Sequence, residues 1–86
     1  MRVLIPNPLL SYTDGARGID AQGDTLSALL DEMERRFPGI RFRVIDEQGR
    51  IRRHIKFFVN AVQANDLDVR LSPRDEVMIV AALSGG

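Results

Sequence analysis

No cysteine and no tryptophan occur in the 86 residues. The absence of thiols excludes a disulfide framework, a thiolate metal site and a cysteine nucleophile. The only histidine, His54, stands among Arg52, Arg53 and Lys56. A lone histidine without partner ligands makes no metal site, and a surface or strand-edge role is expected for it. No long apolar run is present either. The opening "MRVLIPNPLLSY" is short and broken by Pro6 and Pro8, which fits neither a signal peptide nor a membrane span, so a cytoplasmic location is expected. The glycine clusters "GARG", "FPG" and "SGG" do not form a phosphate loop, because no glycine-rich run leads into a Lys-Ser/Thr pair between strand and helix. Excess charge of one sign is also missing. Lys+Arg and Asp+Glu both number 12, which argues against a dedicated binder of nucleic acid or of anionic membranes. Lysine is nearly absent, Lys56 being the only one, so few side-chain amines are available for acylation.

What is present suits one small domain. An apolar content of 44% allows a real core, with a slim stability margin at this length. "RVLIPN" reads as a first strand, and "YTDGARG" as a hairpin turn, or a longer turn given Gly18. Residues 16–21 read as a weak return strand anchored by Ile19. The clearest element is "GDTLSALLDEMERRFPG", where Leu26, Leu29, Leu30, Met33 and Phe37 recur at helical spacing. Asp24 or Thr25 can cap this helix, Glu32 and Arg36 stand four apart, and Pro38-Gly39 ends it. Around residues 40–45 the pattern predicts a short strand or an irregular turn, and "DEQG" a turn. "HIKFFVNA" alternates as a strand. "VQANDLDVRLSPRDE" reads as a long connection plugged by Leu67, Val69 and Leu71. "EVMIVAAL" is apolar enough for a central strand. A strand-strand-helix-strand-strand order with the helix across one face buries the leucine stripe most simply. If the first and last strands pair at the centre, the chain end leaves from mid-sheet.

Side-chain chemistry is sparse. Asp31, Glu32 and Glu34 lie on the solvent side of the predicted helix, which disfavours a metal or acid-base role. The stretch from Arg35 to Lys56 holds eight basic residues against Asp46 and Glu47, with Phe42, Phe57 and Phe58 among them. A solvated face or a patch for an acidic protein partner is preferred over nucleic acid for this stretch. Phe57 and Phe58 have opposite parity, so one of them can face an uncovered side of the sheet and anchor a partner. That leaves the ending "AALSGG". Gly85 and Gly86 fit a channel too narrow for side chains and present an α-carboxylate. A carboxylate is a poor electrophile until a partner using ATP makes it an acyl-adenylate, after which a sulfur or amine nucleophile can attack the Gly86 carbonyl. The inert alternative is that the glycines merely fray, and composition and spacing leave both open.

Three stretches, "GDTLSALLDEMERRFPG", "FFVNAV" and "LSPRDEVMIVAALSGG", resemble the ubiquitin-like sulfur carriers. That group includes the small subunit of molybdopterin synthase, the thiamine-pathway carrier and the cysteine-biosynthesis carrier. "VLIPNPLLSYTDGARGIDAQGDTL" and "FPGIRFRVIDEQGRIRRHIKFFVN" look most like the last branch. The resemblance implies an α+β, ubiquitin-like β-grasp: a mixed sheet with one main helix across one face, over residues 1–82, then a flexible tail, residues 83–86. It implies a carrier and not an enzyme, with no bound cofactor. The Gly86 carboxylate would be adenylated by an ATP-dependent activating enzyme and converted to a thiocarboxylate. Its sulfur would go to a pyridoxal-phosphate cysteine synthase, with a metallopeptidase releasing the product. In the alternative branch the tail would enter the large subunit of molybdopterin synthase. A ubiquitin-like protein modifier and a plain binding module are further alternatives. Gly85, Ser84 and Leu83 would pass through the partner's channel, and Ala82, Phe57 and Phe58 would contact the partner. No histidine base stands near Ser84 in sequence, so it has no nucleophilic assignment. Two departures from the family pattern are Arg74, where glycine is common, and Ala61, where "VNG" reads "VNA". Both predict altered local loops.

Overall fold

The computed structural model describes residues 1–82. Five strands form one mixed sheet: β1 (Arg2–Leu4), β2 (Gly18–Asp20), β3 (Ile55–Val59), β4 (Val62–Ala64) and β5 (Glu76–Ala81), in the order β2-β1-β5-β3-β4. The last strand lies at the centre, parallel to β1 and antiparallel to β3. Helix α1 (Leu26–Arg36) packs across one face, followed by a second short helix, α2 (Ile40–Val44). This is the α+β, ubiquitin-like β-grasp that the resemblance implied.

Helix α1 forms for the reasons visible in its sequence. The Thr25 hydroxyl oxygen accepts from Ala28 N at 3.1 Å, which identifies Thr25 as the cap. Leu26, Leu29, Leu30 and Met33 are all buried, and each contributes roughly 1.5–3 kcal/mol through burial. They meet Val3, Ile19, Ile55, Phe57, Val77 and Ile79 from the sheet. The connection after β4 closes the helix start: Leu26 N donates to Val69 O and Ser27 N to Leu67 O. These bonds satisfy amides that the first turn leaves without partners. Leu67, Val69 and Leu71 pack partly buried against the core, as plugs.

Four local expectations are corrected. The chain between β1 and β2 is not a simple hairpin turn: Asn7–Thr13 form a 3-10 helix with proline in its first turn. Asp14 (φ 55°) and Gly15 (φ 83°) then reverse the chain in left-handed geometry. Residues 40–44 are helical instead of extended. Gly39 turns the chain at φ 97°, and the Glu34 carboxylate accepts from Gly39 N (2.8 Å) and Arg41 N (2.9 Å), which fixes the helix start from another element. Strand β4 was read as connection. Glu32 pairs with Arg35, while the Arg36 guanidinium donates to Asp20 O.

The Ala61 departure leaves the turn itself intact. Asn60 (φ 50°) and Ala61 (φ 70°) form the two-residue turn of the β3–β4 hairpin, with Val59 paired to Val62. Asn60 also donates to Asp75 Oδ1 at 2.8 Å and accepts from Glu76 N at 3.0 Å, which pins the turn to the start of β5. Arg74 sits in the Ser72–Asp75 turn without a left-handed angle, so no glycine is required there.

Candidate functional site

The site is the end of the central strand and the surfaces around it. β5 is hydrogen-bonded on both sides, to β1 and to β3. Ala81 pairs with Ile55, and Ala82 N donates to His54 O at 2.8 Å. The backbone is therefore held in register up to Ala82, which is exposed. Leu83, Ser84, Gly85 and Gly86, the residues that carry the tail assignment, lie outside the described residues.

Two surfaces flank this exit. The sheet face opposite α1 carries a row across four strands: Leu4, Met78, Phe58 and Gln63 stand side by side in register. Met78 is 39% exposed, and Leu4, Phe58 and Val80 are half-buried. Lys56 is exposed beside Val80 on the same face. An apolar groove of about 320 Å³ then lies between the start of the 3-10 helix and the end of β5, lined by Pro6, Asn7, Pro8, Ile79, Val80 and Ala81. Together, beside the end of β5, these surfaces present apolar contact area flanked by two exposed cations, Lys56 and Arg2.

The two phenylalanines now separate. Phe57 is fully buried, paired between Ile79 and Ala64 on the helix-covered face, and so it is withdrawn as a partner contact. Phe58 points to the other face and stays a candidate contact. Leu4, Met78 and Val80 share that open face and were not among the expected contacts. The alternation of β5 places Met78 and Val80 opposite the buried Val77 and Ile79, and that was the available signal.

The carboxylates serve the fold. Asp31 pairs with Arg41 at 3.1 Å. Backbone N–H groups of Gly39 and Arg41 hold Glu34 below the ordinary glutamate range. Asp46 is held low chiefly by the Arg50 N–H, and Asp75 chiefly by the Ser72 N–H with help from Asn60. Among the described residues, no group of three His, Asp or Glu could hold a metal ion. No described helix is long and apolar enough to cross a membrane.

Comparison with known proteins agrees with this geometry. The chain matches the ThiS family over residues 3–86. It is 34% identical over 94 residues to the sulfur carrier protein CysO of Mycobacterium tuberculosis strain H37Rv, covering 98% of this chain and 96% of that protein. The crystal structure of the Amycolatopsis orientalis BexX/CysO complex contains a similar chain, with a TM-score of 0.90, 30% identity, and 99% and 98% of the two chains covered. Crystalline Mycobacterium tuberculosis CysO gives 0.89 and 30%, covering 95% and 98%. A β-grasp sheet whose last strand lies at its centre, and a family match running to the final glycine, place this chain in the ThiS family of ubiquitin-fold sulfur carriers.

Proposed function

We propose that the chain carries sulfur for cysteine biosynthesis on the carboxyl group of Gly86. The observation that carries this reading is the position of β5. The strand bearing the terminus is the central one of the sheet, paired with β1 as far as Met78 and held by β3 and the His54 carbonyl as far as Ala82. A tail rooted there has a defined origin relative to any partner docked on the neighbouring surfaces. In this reading residues 83–86 are the flexible tail. Leu83, Ser84 and Gly85 pass through a narrow channel of the partner, and the lack of side chains at the two glycines lets the backbone enter.

The chemistry belongs to the partners. The Gly86 carboxylate attacks the α-phosphate of ATP on an activating enzyme, pyrophosphate leaves, and an acyl-adenylate results. A sulfur nucleophile attacks the carbonyl and AMP departs, so that a C–S bond replaces the mixed anhydride. The thiocarboxylate sulfur then takes the place of the leaving group on the β-carbon of an activated serine held by a pyridoxal-phosphate synthase, giving a thioester. An S-to-N acyl shift makes it an amide between Gly86 and cysteine, and a metallopeptidase hydrolyses that amide, freeing cysteine and restoring the carboxylate. Similarity to CysO sequences supports this acceptor over a pterin synthase. The carrier supplies an address and a handle. Phe58, Met78, Leu4 and Ala82 form the address.

Pyrophosphate exchange into ATP tests the first step. With the cognate activating enzyme, full-length carrier should drive exchange and the Gly86 deletion should not, while both melt alike. Equal exchange by the deleted form would remove Gly86 from the mechanism.

A further inference from the structure

Part of the positive charge of this net-neutral chain gathers near the Ala81 end of β5. β5 ends beside the start of β3, and the segment entering β3 carries Arg50, Arg52 and Arg53, with Lys56 following opposite Val80. Arg50, Arg53 and Lys56 are exposed. The Ile45–Ile51 bridge and the bond from Arg52 N to Val44 O draw α2 alongside, adding Phe42 and Arg43. Phe42 is 55% exposed, yet it is held firmly. The Arg52 guanidinium lies 4.6 Å from its ring centroid, and Arg52 Nε donates to its carbonyl oxygen at 2.8 Å.

None of Arg43, Arg50, Arg52, Arg53 or Lys56 enters an ion pair among the described residues, whereas Arg35 and Arg41 do. Asp46, held by backbone N–H groups of Gln48 and Arg50, also attracts the Arg50 and Arg52 guanidinium groups, and Glu47 stands exposed beside it, so two carboxylates stand against the four arginines. Four arginines collected around two carboxylates leave an excess of positive charge, which an opposite charge relieves when it docks. An exposed aromatic set among arginines is also the composition that dominates binding energy at interfaces.

We propose that Phe42, Arg43, Arg50, Arg52 and Arg53 form a docking face for an acidic protein surface, one bordering the mouth of the site that receives the tail. The border position rests on the carrier reading above, while the docking face itself does not. Its work is orientation. A net-neutral chain with one cationic pole is turned by a negative partner so that the tail-bearing end arrives first. A protein fits better than nucleic acid, because Arg52 occupies one face of the Phe42 ring and limits base stacking, and the chain has no net positive charge.

Photo-cross-linking in the source cells tests this, with p-benzoylphenylalanine replacing Phe42 in the full chain and, as a control at the opposite pole, Arg74. The position-42 probe should capture an Asp/Glu-rich peptide that the position-74 probe does not. Capture should fall at least about tenfold in the double variant Arg43→Glu, Arg53→Glu. That variant should stay folded, melting within a few degrees of the parent, since it breaks no ion pair and loses only the favourable place of Arg43 in the last turn of α2. Capture of nucleic acid, of a peptide without acidic enrichment, or of nothing would overturn the proposal. So would capture by the folded double variant that is indifferent to charge reversal. The mass of the carrier's C-terminus, read from the same cells, keeps the two readings apart: an acidic cross-link on a chain never bearing sulfur refutes the carrier function and leaves the docking face standing.

Discussion

Phe57 and Phe58 are neighbours in sequence with opposite duties, and replacing each by alanine separates fold from docking. Phe57 is fully buried between Ile79 and Ala64. Its loss removes a large core side chain and leaves a cavity, at a cost of about 3–5 kcal/mol. A domain of this size has roughly 0.05–0.15 kcal/mol of stability per residue, so the variant sits at the edge of unfolding. Phe58 is half-buried on the open face, and truncation there costs about 1–2 kcal/mol, which the fold survives with a drop of several degrees in Tm. Its effect should appear with the activating enzyme: KM for the carrier rises about tenfold or more, as for a central interface anchor, while kcat changes little. Circular-dichroism melts and steady-state pyrophosphate exchange read the two quantities separately. An unchanged KM for Phe58→Ala would remove the open face from docking. A Phe57→Ala variant that melts like the parent would contradict the core assignment.

Three further outcomes follow from the geometry. Ala61→Gly should raise stability by about 1 kcal/mol, because Ala61 holds φ 70° where an L side chain is strained; a lower urea midpoint would refute this. Gly23→Ala should cost about 1–3 kcal/mol, since a Cβ there falls 2.7 Å from Leu29 Cα and 2.9 Å from Ala28 C, both backbone atoms at the helix start. A melt unchanged by that substitution would show that the loop can move aside. Glu34, Asp46 and Asp75 all titrate below their ordinary values of 4.5, 3.8 and 3.8. Their contributions are therefore fully present above those values and are lost as pH falls through the lower folded ones. Acid should destabilise the parent below about pH 4, and Asp46→Asn with Asp75→Asn should flatten that limb of the urea-midpoint profile. Parallel profiles for the two proteins would remove these carboxylates as the source.

Local patterns carried the parts of the fold that local forces decide. The stripe from Leu26 to Met33, the Thr25 cap and the Pro38-Gly39 stop defined α1, and simple alternation defined β3. The central placement of β5 was legible because its apolar residues occupy both parities. Residues 40–44 misled because Ile, Phe and Val favour strands, while their helix is fixed by Glu34 reaching across from α1. β4 was hidden by its three-residue length and by an Asn-Ala turn without the usual glycine. The buried phenylalanine could not be chosen from sequence, since the register of β3 against β5 decides it. The arginines were plain in the sequence, but only the bridge between Ile45 and Ile51 shows that α2 is drawn alongside the segment carrying Arg50, Arg52 and Arg53.

The central claim is that the Gly86 carboxyl group is the working part of this protein. Intact-mass spectrometry of the chain isolated from its own cells under sulfur-replete growth tests it most directly. The account predicts a fraction of molecules in which one oxygen of the C-terminal carboxylate is replaced by sulfur, located to Gly86 by fragmentation. A terminus carrying only oxygen, in cells whose cysteine synthesis through a protein-bound sulfur donor is demonstrably running, would contradict it.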